Sequence, residues 1–445
     1  MQKTILYTLA GLSLFLLGAF SAWQSQDVTR DEVAAAAKVA GLSMTSAEID
    51  SLLPAINEEL LPAYAELYQA QIPNHTAPAW GFIPYPTGYT PPQGPDRVRI
   101  DLPWDTDLPA DRHDLAYYSV RELAALLRKG KITSVELTQF FLERLRTYDP
   151  QLYCVISLTE ERALQAAAQA DAELQMGVDR GILHGIPYGA KDLLAVPGYR
   201  TSWGAAPYRD QKLDYTATVI EKLDAAGAVL VAKLSLGALA WGDVWYGGMT
   251  RNPWNTQTGS SGSSAGSASA VAAGLVPFAL GTETLGSIVS PSTVCGTTGL
   301  RPTFGRVSRH GAMALSWTMD KIGPITRSAE DALAVLQIID GPDCLDHTVQ
   351  DIPLHYESGQ KKKLRIGYDK SAFERERAQQ AADQAVLTVL EAQGYELVPI
   401  ELPAFPAINH ILIVEAAAAF DELTRSNRDD ELTRQVKNAW PNVFR

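Results

Sequence analysis

The sequence predicts an α/β fold: one large domain with a central mixed β-sheet covered by helices on both faces, preceded by a helical N-terminal extension. Two observations carry this. From Ile186 onward, short apolar runs bounded by glycine alternate with helical stretches, the pattern of a largely parallel or mixed sheet built with crossover helices. The chain is also long enough for a sizeable core, with 445 residues of which 46% are hydrophobic.

Lys3 is followed by an uncharged stretch, Thr4 to Gln26, whose centre from Ile5 to Ala22 is mostly apolar. Ala19 and Ser21 are the small residues that a signal peptidase requires. Residues 1–22 therefore read as an export signal. The alternative is an uncleaved anchor over residues 4–23, because the run approaches the roughly 20 residues that span a bilayer. Either reading makes the protein exported, periplasmic or secreted, with membrane contact only through that anchor.

Residues 28–100 read as the extension. Thr29 to Gln71 is helical in pattern, and Thr45 with Glu48 forms a capping box, in which a hydroxyl and a carboxylate satisfy orphan amides at a helix start. Asn74 to Gly94, rich in Pro, Gly and aromatics, reads as a wrapped loop. The large domain then runs over residues 110–445. Capping boxes at Ser119/Glu122 and Thr133/Glu136 open two helices separated by Gly130, and Glu160 to Met176 is an Ala-rich helix. Strands follow at Ile186–Ala190, Ala228–Ala232 and Val276–Leu280, with a helix from Thr216 to Ala225 stopped by Gly227. Ser328 with Asp331 caps a helix ending before Gly341. Leu364–Gly367, a helix from Glu374 to Ala392, and Glu396–Glu401 make a βαβ-like unit.

Composition narrows the chemistry. A formal charge of −13 gives no electrostatic footprint for nucleic acid. Three distant cysteines, Cys154, Cys295 and Cys344, make neither a disulfide framework nor a four-cysteine zinc site, and the seven histidines form no HExxH pair. Ser, Lys, Asp, Glu and backbone groups remain.

The Gly/Ser cluster from Thr258 to Ser269, followed by a small-residue helix, a strand and Gly281–Ile288, is the informative stretch. A phosphate-binding P-loop needs a Lys after its last Gly, and no Lys occurs between Lys233 and Lys321. A flexible linker does not fit apolar, structured flanks. Gly262–Gly266 matches the hydrolase nucleophile elbow, but the polar, Pro-containing Arg251–Gln257 is not the buried strand that motif requires. A Ser-x-x-Lys at Ser358–Lys361 lies in a polar, Lys-rich loop and reads as chance. What remains is a serine nucleophile with a lysine base. Burial favours neutral lysine, and two lysines end buried strands, Lys191 and Lys233; spacing does not choose between them.

Three blocks, Leu183–Asp192, Gly259–Gly274 and Gly281–Ser287 continuing through Cys295–Thr303, together resemble the amidase signature family. The resemblance runs from about Thr29 to the C-terminus and implies the amidase-signature fold. It implies a Ser–Ser–Lys triad with Ser287 as nucleophile, Ser263 as the bridging serine after a cis peptide bond, and Lys191 as base. Thr284, Leu285, Gly286 and Ser264 are implied around the oxyanion or substrate, and His184 as structural. No metal or cofactor is implied.

The expected function is hydrolysis of a small-molecule or peptide-like amide through an acyl-enzyme. Alternatives are the transamidating A subunit of a tRNA-dependent amidotransferase, and an esterase using the same site. Trp241, Trp245 and Tyr246 are candidates to line an acyl site, with ordinary packing as the competing reading. Three departures from the commonest pattern stand out. Glu283 and Val289 replace an Asp and an Arg, so Glu283 needs another partner, backbone amides or a hydroxyl. Leu285 replaces a Gly and would be strained at positive φ. The chain also ends at Arg445 in helical-looking sequence where family members continue, which reads as a truncated C-terminus.

Overall fold

The computed structural model describes residues 27–76, 85–86, 88–357, 364–403, 409–435 and 440. The apolar stretch Ile5–Ala22 and the Ser358–Lys361 motif lie outside these residues. The chain divides into two compact units, Met1–Pro73 and Asn74–Arg445.

In the first unit, helix Arg30–Val39 precedes helix Ser46–Ala55, which continues through a wide π turn, Ile56–Leu60, into helix Leu61–Gln69. Pro54 withdraws one ladder donor just before the wide turn. The Thr45/Glu48 box forms, and a second, Thr29/Glu32, opens the first helix. The division falls at Pro73 rather than near residue 100. Asn74 already belongs to the large unit, since its side chain accepts from the Ala314 amide at 2.6 Å and donates to the Ala314 carbonyl at 3.0 Å. Arg97–Arg99 likewise pairs with His355–Glu357.

The large unit is built on a six-stranded sheet. Its strands are β1 (Val155–Leu158), β2 (Pro187–Lys191), β3 (Val229–Leu234), β4 (Phe278–Glu283), β5 (Thr298–Gly299) and β6 (Lys321–Thr326), in the order β5-β6-β4-β2-β3-β1. β2 lies between parallel neighbours β3 and β4, while β1, β6 and β5 pair antiparallel, so the sheet is mixed. Every residue of β2, β3 and β4 is buried, which is why these segments read as runs without polar alternation.

Seven helices in this unit matter for the site and its support: α1 (Val120–Arg128), α2 (Ser134–Leu152), α3 (Glu160–Gln175), α4 (Thr218–Ala225), α5 (Ala265–Ala272), α6 (Val289–Cys295) and α7 (Ala329–Ile339). The boxes at Ser119/Glu122 and Thr133/Glu136 open α1 and α2, and the Ser328 hydroxyl caps α7. Val120, Leu123 and Leu127, at helical spacing, put one face of α1 in the core. Each such buried aliphatic side chain contributes roughly 1.5–3 kcal/mol relative to exposure.

The expected βαβ-like unit forms but stands apart. Arg365–Asp369 and Glu396–Ile400 pair in parallel as a two-stranded sheet of their own. Neither strand buries a residue, whereas a place beside β2 would demand burial on both faces. Asn255–Gly259 is a strand too, in an exposed hairpin with Arg251–Asn252 and not in the central sheet, so the elbow motif still lacks its buried strand.

Candidate active site

Three segments meet at the carboxyl edge of the parallel pair β2–β4. β2 ends on Lys191, and its Tyr188–Ala190 lie in register with Phe278–Leu280 of β4. Parallel pairing brings both strand ends to one edge, the place where open α/β sheets bind ligands. The loop leading into α5 supplies Ser263 and Ser264. Gly262 lets that loop approach its neighbour closely, for a Cβ there would sit 1.8 Å from the Gly242 carbonyl oxygen. The Gly262–Ser263 peptide bond is cis, as the family resemblance implies.

Lys191 is fully buried. Its Nζ lies 2.8 Å from Ser263 Oγ, 3.1 Å from Ser264 Oγ and 2.8 Å from Thr282 Oγ1. A hydroxyl has one proton to give. Ser264 gives its proton to the Thr282 carbonyl at 3.0 Å and accepts the Thr282 amide at 3.0 Å, so towards Lys191 it can only accept. The Ser263 proton carries no such commitment and is available to the lysine. No carboxylate touches Nζ among the described residues. Burial pulls the Lys191 pKa down to about 7, against the opposing charges of Asp320 and Glu283.

Lys233 takes a different part. It is equally buried, but its Nζ meets Asp192 at 2.7 Å, the Arg200 carbonyl at 2.9 Å and Thr201 Oγ1 at 3.1 Å. The other Asp192 oxygen accepts the Ser202 amide and hydroxyl. Asp192 is the residue next to Lys191, yet its charge is spent on Lys233. Burial lowers the Lys233 pKa, and Asp192 opposes that. Neither lysine reaches solvent, although each lies at or next to the end of its strand.

Ser287 sits in the turn between β4 and α6 and is 9% exposed, against 1% for Ser263. The Ser264 amide donates to the Ser287 carbonyl at 3.1 Å, which ties the two serine loops together. No hydrogen bond joins the Ser263 and Ser287 hydroxyls. Glu283 holds the far side of the turn, its carboxylate accepting the amides of Ile288 at 2.8 Å and Val289 at 3.0 Å. Among the described residues, nothing accepts the N–H groups of Thr284, Leu285 or Ser287. These are spare backbone donors around the Ser287 residue.

The amidase family model matches residues 136–444. The chain belongs to the amidase signature family. Among curated members, it is 40% identical over 323 residues to the A subunit of the glutamyl-tRNA(Gln) amidotransferase of Roseiflexus sp. (strain RS-1), a match covering 70% of this chain and 66% of that one. The chain thus spans about two thirds of the length of such relatives. Among solved amidase structures, the native peptide amidase from Stenotrophomonas maltophilia is 34% identical, covering 70% of this chain and 68% of its own, with a TM-score of 0.62. An amidase family protein from Bacillus anthracis str. Ames is 25% identical with 79% of each chain covered and a TM-score of 0.66.

The departures from the commonest amidase pattern resolve in the geometry. Glu283 finds backbone amides, as expected, and also Arg301, whose guanidinium reaches it at 3.0 Å. Burial pushes the Glu283 pKa up, but the Val289 and Ile288 amides and Arg301 outweigh it and the net shift is downward. An acid–arginine pair therefore survives with its arginine 18 positions away instead of at Val289. Leu285 is free of strain, since the left-handed residue is Gly286, with φ +90°. The Leu285 side chain is exposed.

Other expectations fall differently. Ser264 is fully buried and braces Thr282, so its hydroxyl is not placed to meet substrate. The cavity beside Thr282 and Thr284 is lined by His75, Leu193, Met313, Leu315, Trp317 and Ile322, and by none of Trp241, Trp245 or Tyr246. Trp245 is buried with its indole N–H on the Tyr153 carbonyl, Trp241 packs against Trp440, and Tyr246 lies under the Arg209 guanidinium. Each of the three thus has a packing or hydrogen-bond partner of its own. His184 is buried and accepts the Arg180 amide at 3.2 Å. Thr282, Arg301, Asp320 and Lys321 were not legible as site residues. Asp320 and Lys321 are brought to the turn by β4–β6 pairing, which no local motif signals, and Arg301, although it lies in the third block, by a loop return.

Proposed function

We propose that the chain is an amidohydrolase that cleaves a carboxylic amide through an acyl-enzyme on Ser287, with Ser263 as proton relay and Lys191 as base. The observation that carries this is Lys191: buried, free of any carboxylate contact among the described residues and hydrogen-bonded to Ser263. A base must be neutral to accept a proton, and a lysine with a pKa of about 7 is partly neutral at working pH.

In this reading Lys191 takes the Ser263 proton as Ser263 takes that of Ser287. The Ser287 oxygen attacks the amide carbon. The carbonyl oxygen becomes an oxyanion held by the spare Leu285 and Ser287 amides, each such donor being worth about 2.7–4 kcal/mol. Collapse breaks the C–N bond, and the proton returns through Ser263 to the leaving nitrogen. Water then repeats the sequence on the acyl-ester. The Ser263–Ser287 contact belongs to the bound complex, since catalytic hydrogen bonds often tighten only there.

Peptide amidase activity in a structural relative supports a peptide-like or other small amide as substrate. Likeness at 40% identity to the A subunit of an amidotransferase favours a second reading, in which the same triad releases ammonia from glutamine for a partner enzyme; ester cleavage at the same site is a third. The apolar stretch Ile5–Ala22 supports export and weighs against a role in tRNA-dependent transamidation. The test is ammonia release from a panel of amides and glutamine, with and without an added amidotransferase partner protein. Ser287→Ala is expected to lose at least about a thousandfold in kcat. Full activity in that variant would remove Ser287 as nucleophile, and activity on glutamine only with a partner would favour the second reading.

A further inference from the structure

The turn that carries Ser287 is clamped at both ends, and one clamp lies outside any motif. Asp320 and Lys321, at the start of β6, face the beginning of the turn across the β4–β6 pairing, where Lys321 lies opposite Glu283. The Thr284 hydroxyl donates to Asp320, whose other oxygen accepts the Leu315 and Ser316 amides at 2.8 and 3.0 Å. Lys321 Nζ donates to the Thr284 carbonyl at 3.1 Å and also to the Met319 carbonyl. Thr284 is thus held by its side chain from one residue and by its carbonyl from the next.

The consequence follows from peptide geometry. The Thr284 carbonyl and the Leu285 N–H belong to one planar trans unit, so they point in opposite directions. Whatever holds that carbonyl aims that N–H. The Leu285 N–H has no acceptor among the described residues and precedes Ser287 by two positions. A cation on a carbonyl also polarises the amide that shares its peptide, making its N–H a stronger donor. We propose that Lys321 is a positioning residue for the oxyanion site: by gripping the Thr284 carbonyl it directs and strengthens the Leu285 N–H, with Asp320 fixing the same residue through its hydroxyl. This rests on the reading of Ser287 as nucleophile. Burial lowers the Lys321 pKa; of the charged groups around it, Glu283 and Asp320 oppose that by favouring its ammonium form, while Arg301 and Arg309 add to it.

The experiment compares Lys321→Met, which keeps the length and loses the donor, with Lys321→Arg, which keeps a cationic donor. Steady-state kinetics on one amide are read beside the ³¹P shift of the adduct formed with a fluorophosphonate, whose phosphoryl oxygen occupies the oxyanion position. Lys321→Met is expected to lower kcat by about 10- to 100-fold, less than outright loss of a donor. KM should stay within about threefold and the ³¹P resonance should move, while Lys321→Arg recovers most of kcat and the parent resonance. Unchanged kcat in Lys321→Met, a loss confined to KM, or equal losses in both variants would overturn the proposal. Should Lys321→Met fail to fold, Thr284→Val cuts the other half of the clamp, and unchanged kcat there counts against it equally. Failure of the underlying reading looks different: the wild-type protein would not form the Ser287 adduct at all.

Discussion

At the residue scale, the choice between two serines and two lysines rests on counting protons and charges. Ser264 spends its proton on the Thr282 carbonyl and its lone pairs on Thr282 and Lys191, whereas the proton of Ser263 is free for Lys191. The two alanine variants should therefore separate. Ser263→Ala is expected to lose at least about 100-fold in kcat, the usual size of a general acid–base contribution, with little change in melting temperature. Ser264→Ala leaves the buried Thr282 amide without its partner, at a cost of about 1–3 kcal/mol, and should show first as a lowered melting temperature. Equal kinetic losses and equal stabilities would contradict the division. Lys233 is set apart from the base by its contacts: its Nζ is committed to Asp192, the Arg200 carbonyl and Thr201, and no serine hydroxyl meets it among the described residues.

At the element scale, the β4–α6 turn makes the site. Glu283 gathers the Ile288 and Val289 amides at one end, Asp320 and Lys321 hold Thr284 at the other, and Gly286 at φ +90° provides the reversal between them. A Cβ on Gly286 would meet nothing within 4 Å, so Gly286→Ala isolates backbone strain from steric clash. It should cost about 1–3 kcal/mol of stability, measured by denaturant melts, and a larger share of kcat than of KM as the neighbouring amides swing. Loss of stability with unchanged kcat would mean that the turn is not the oxyanion site. Elements with local signatures were legible in the sequence: the capping boxes of α1 and α2, the glycine stops, and the buried runs of β2, β3 and β4. Lys191, Ser263 and Ser287 were singled out by the resemblance to the amidase signature family, since spacing alone left Lys191 and Lys233 undecided. What was not legible depends on pairing across long separations. The 36-residue gap between Thr284 and Asp320, the return of Arg301 to Glu283, and the separate sheet of Arg365–Asp369 leave no periodic trace.

At the scale of the whole molecule, the chain is a helical unit and a large α/β unit in which a mixed sheet brings Lys191, Ser263 and the turn that carries Ser287 to one edge. The apolar stretch Ile5–Ala22, ahead of helix Arg30–Val39, supports export. Expressed in a bacterium with an intact export pathway, the protein should be recovered in the periplasm or medium with its new N-terminus near Ala22, or in the membrane if the stretch is retained; recovery in the cytoplasm at full length would refute export. The central claim, that a neutral buried lysine activates Ser287, is most directly tested by the pH dependence of fluorophosphonate labelling, followed by mass spectrometry of the modified peptide. The Lys191 pKa is lowered from the ordinary 10.5, so the base is lost as pH falls through about 7 and regained above it. The account predicts a label on Ser287 whose rate rises with pH about a midpoint near 7, and a slow, pH-independent rate in Lys191→Met. A label on another residue, or a rate in the wild-type protein that does not change between about pH 5 and pH 9, would contradict it.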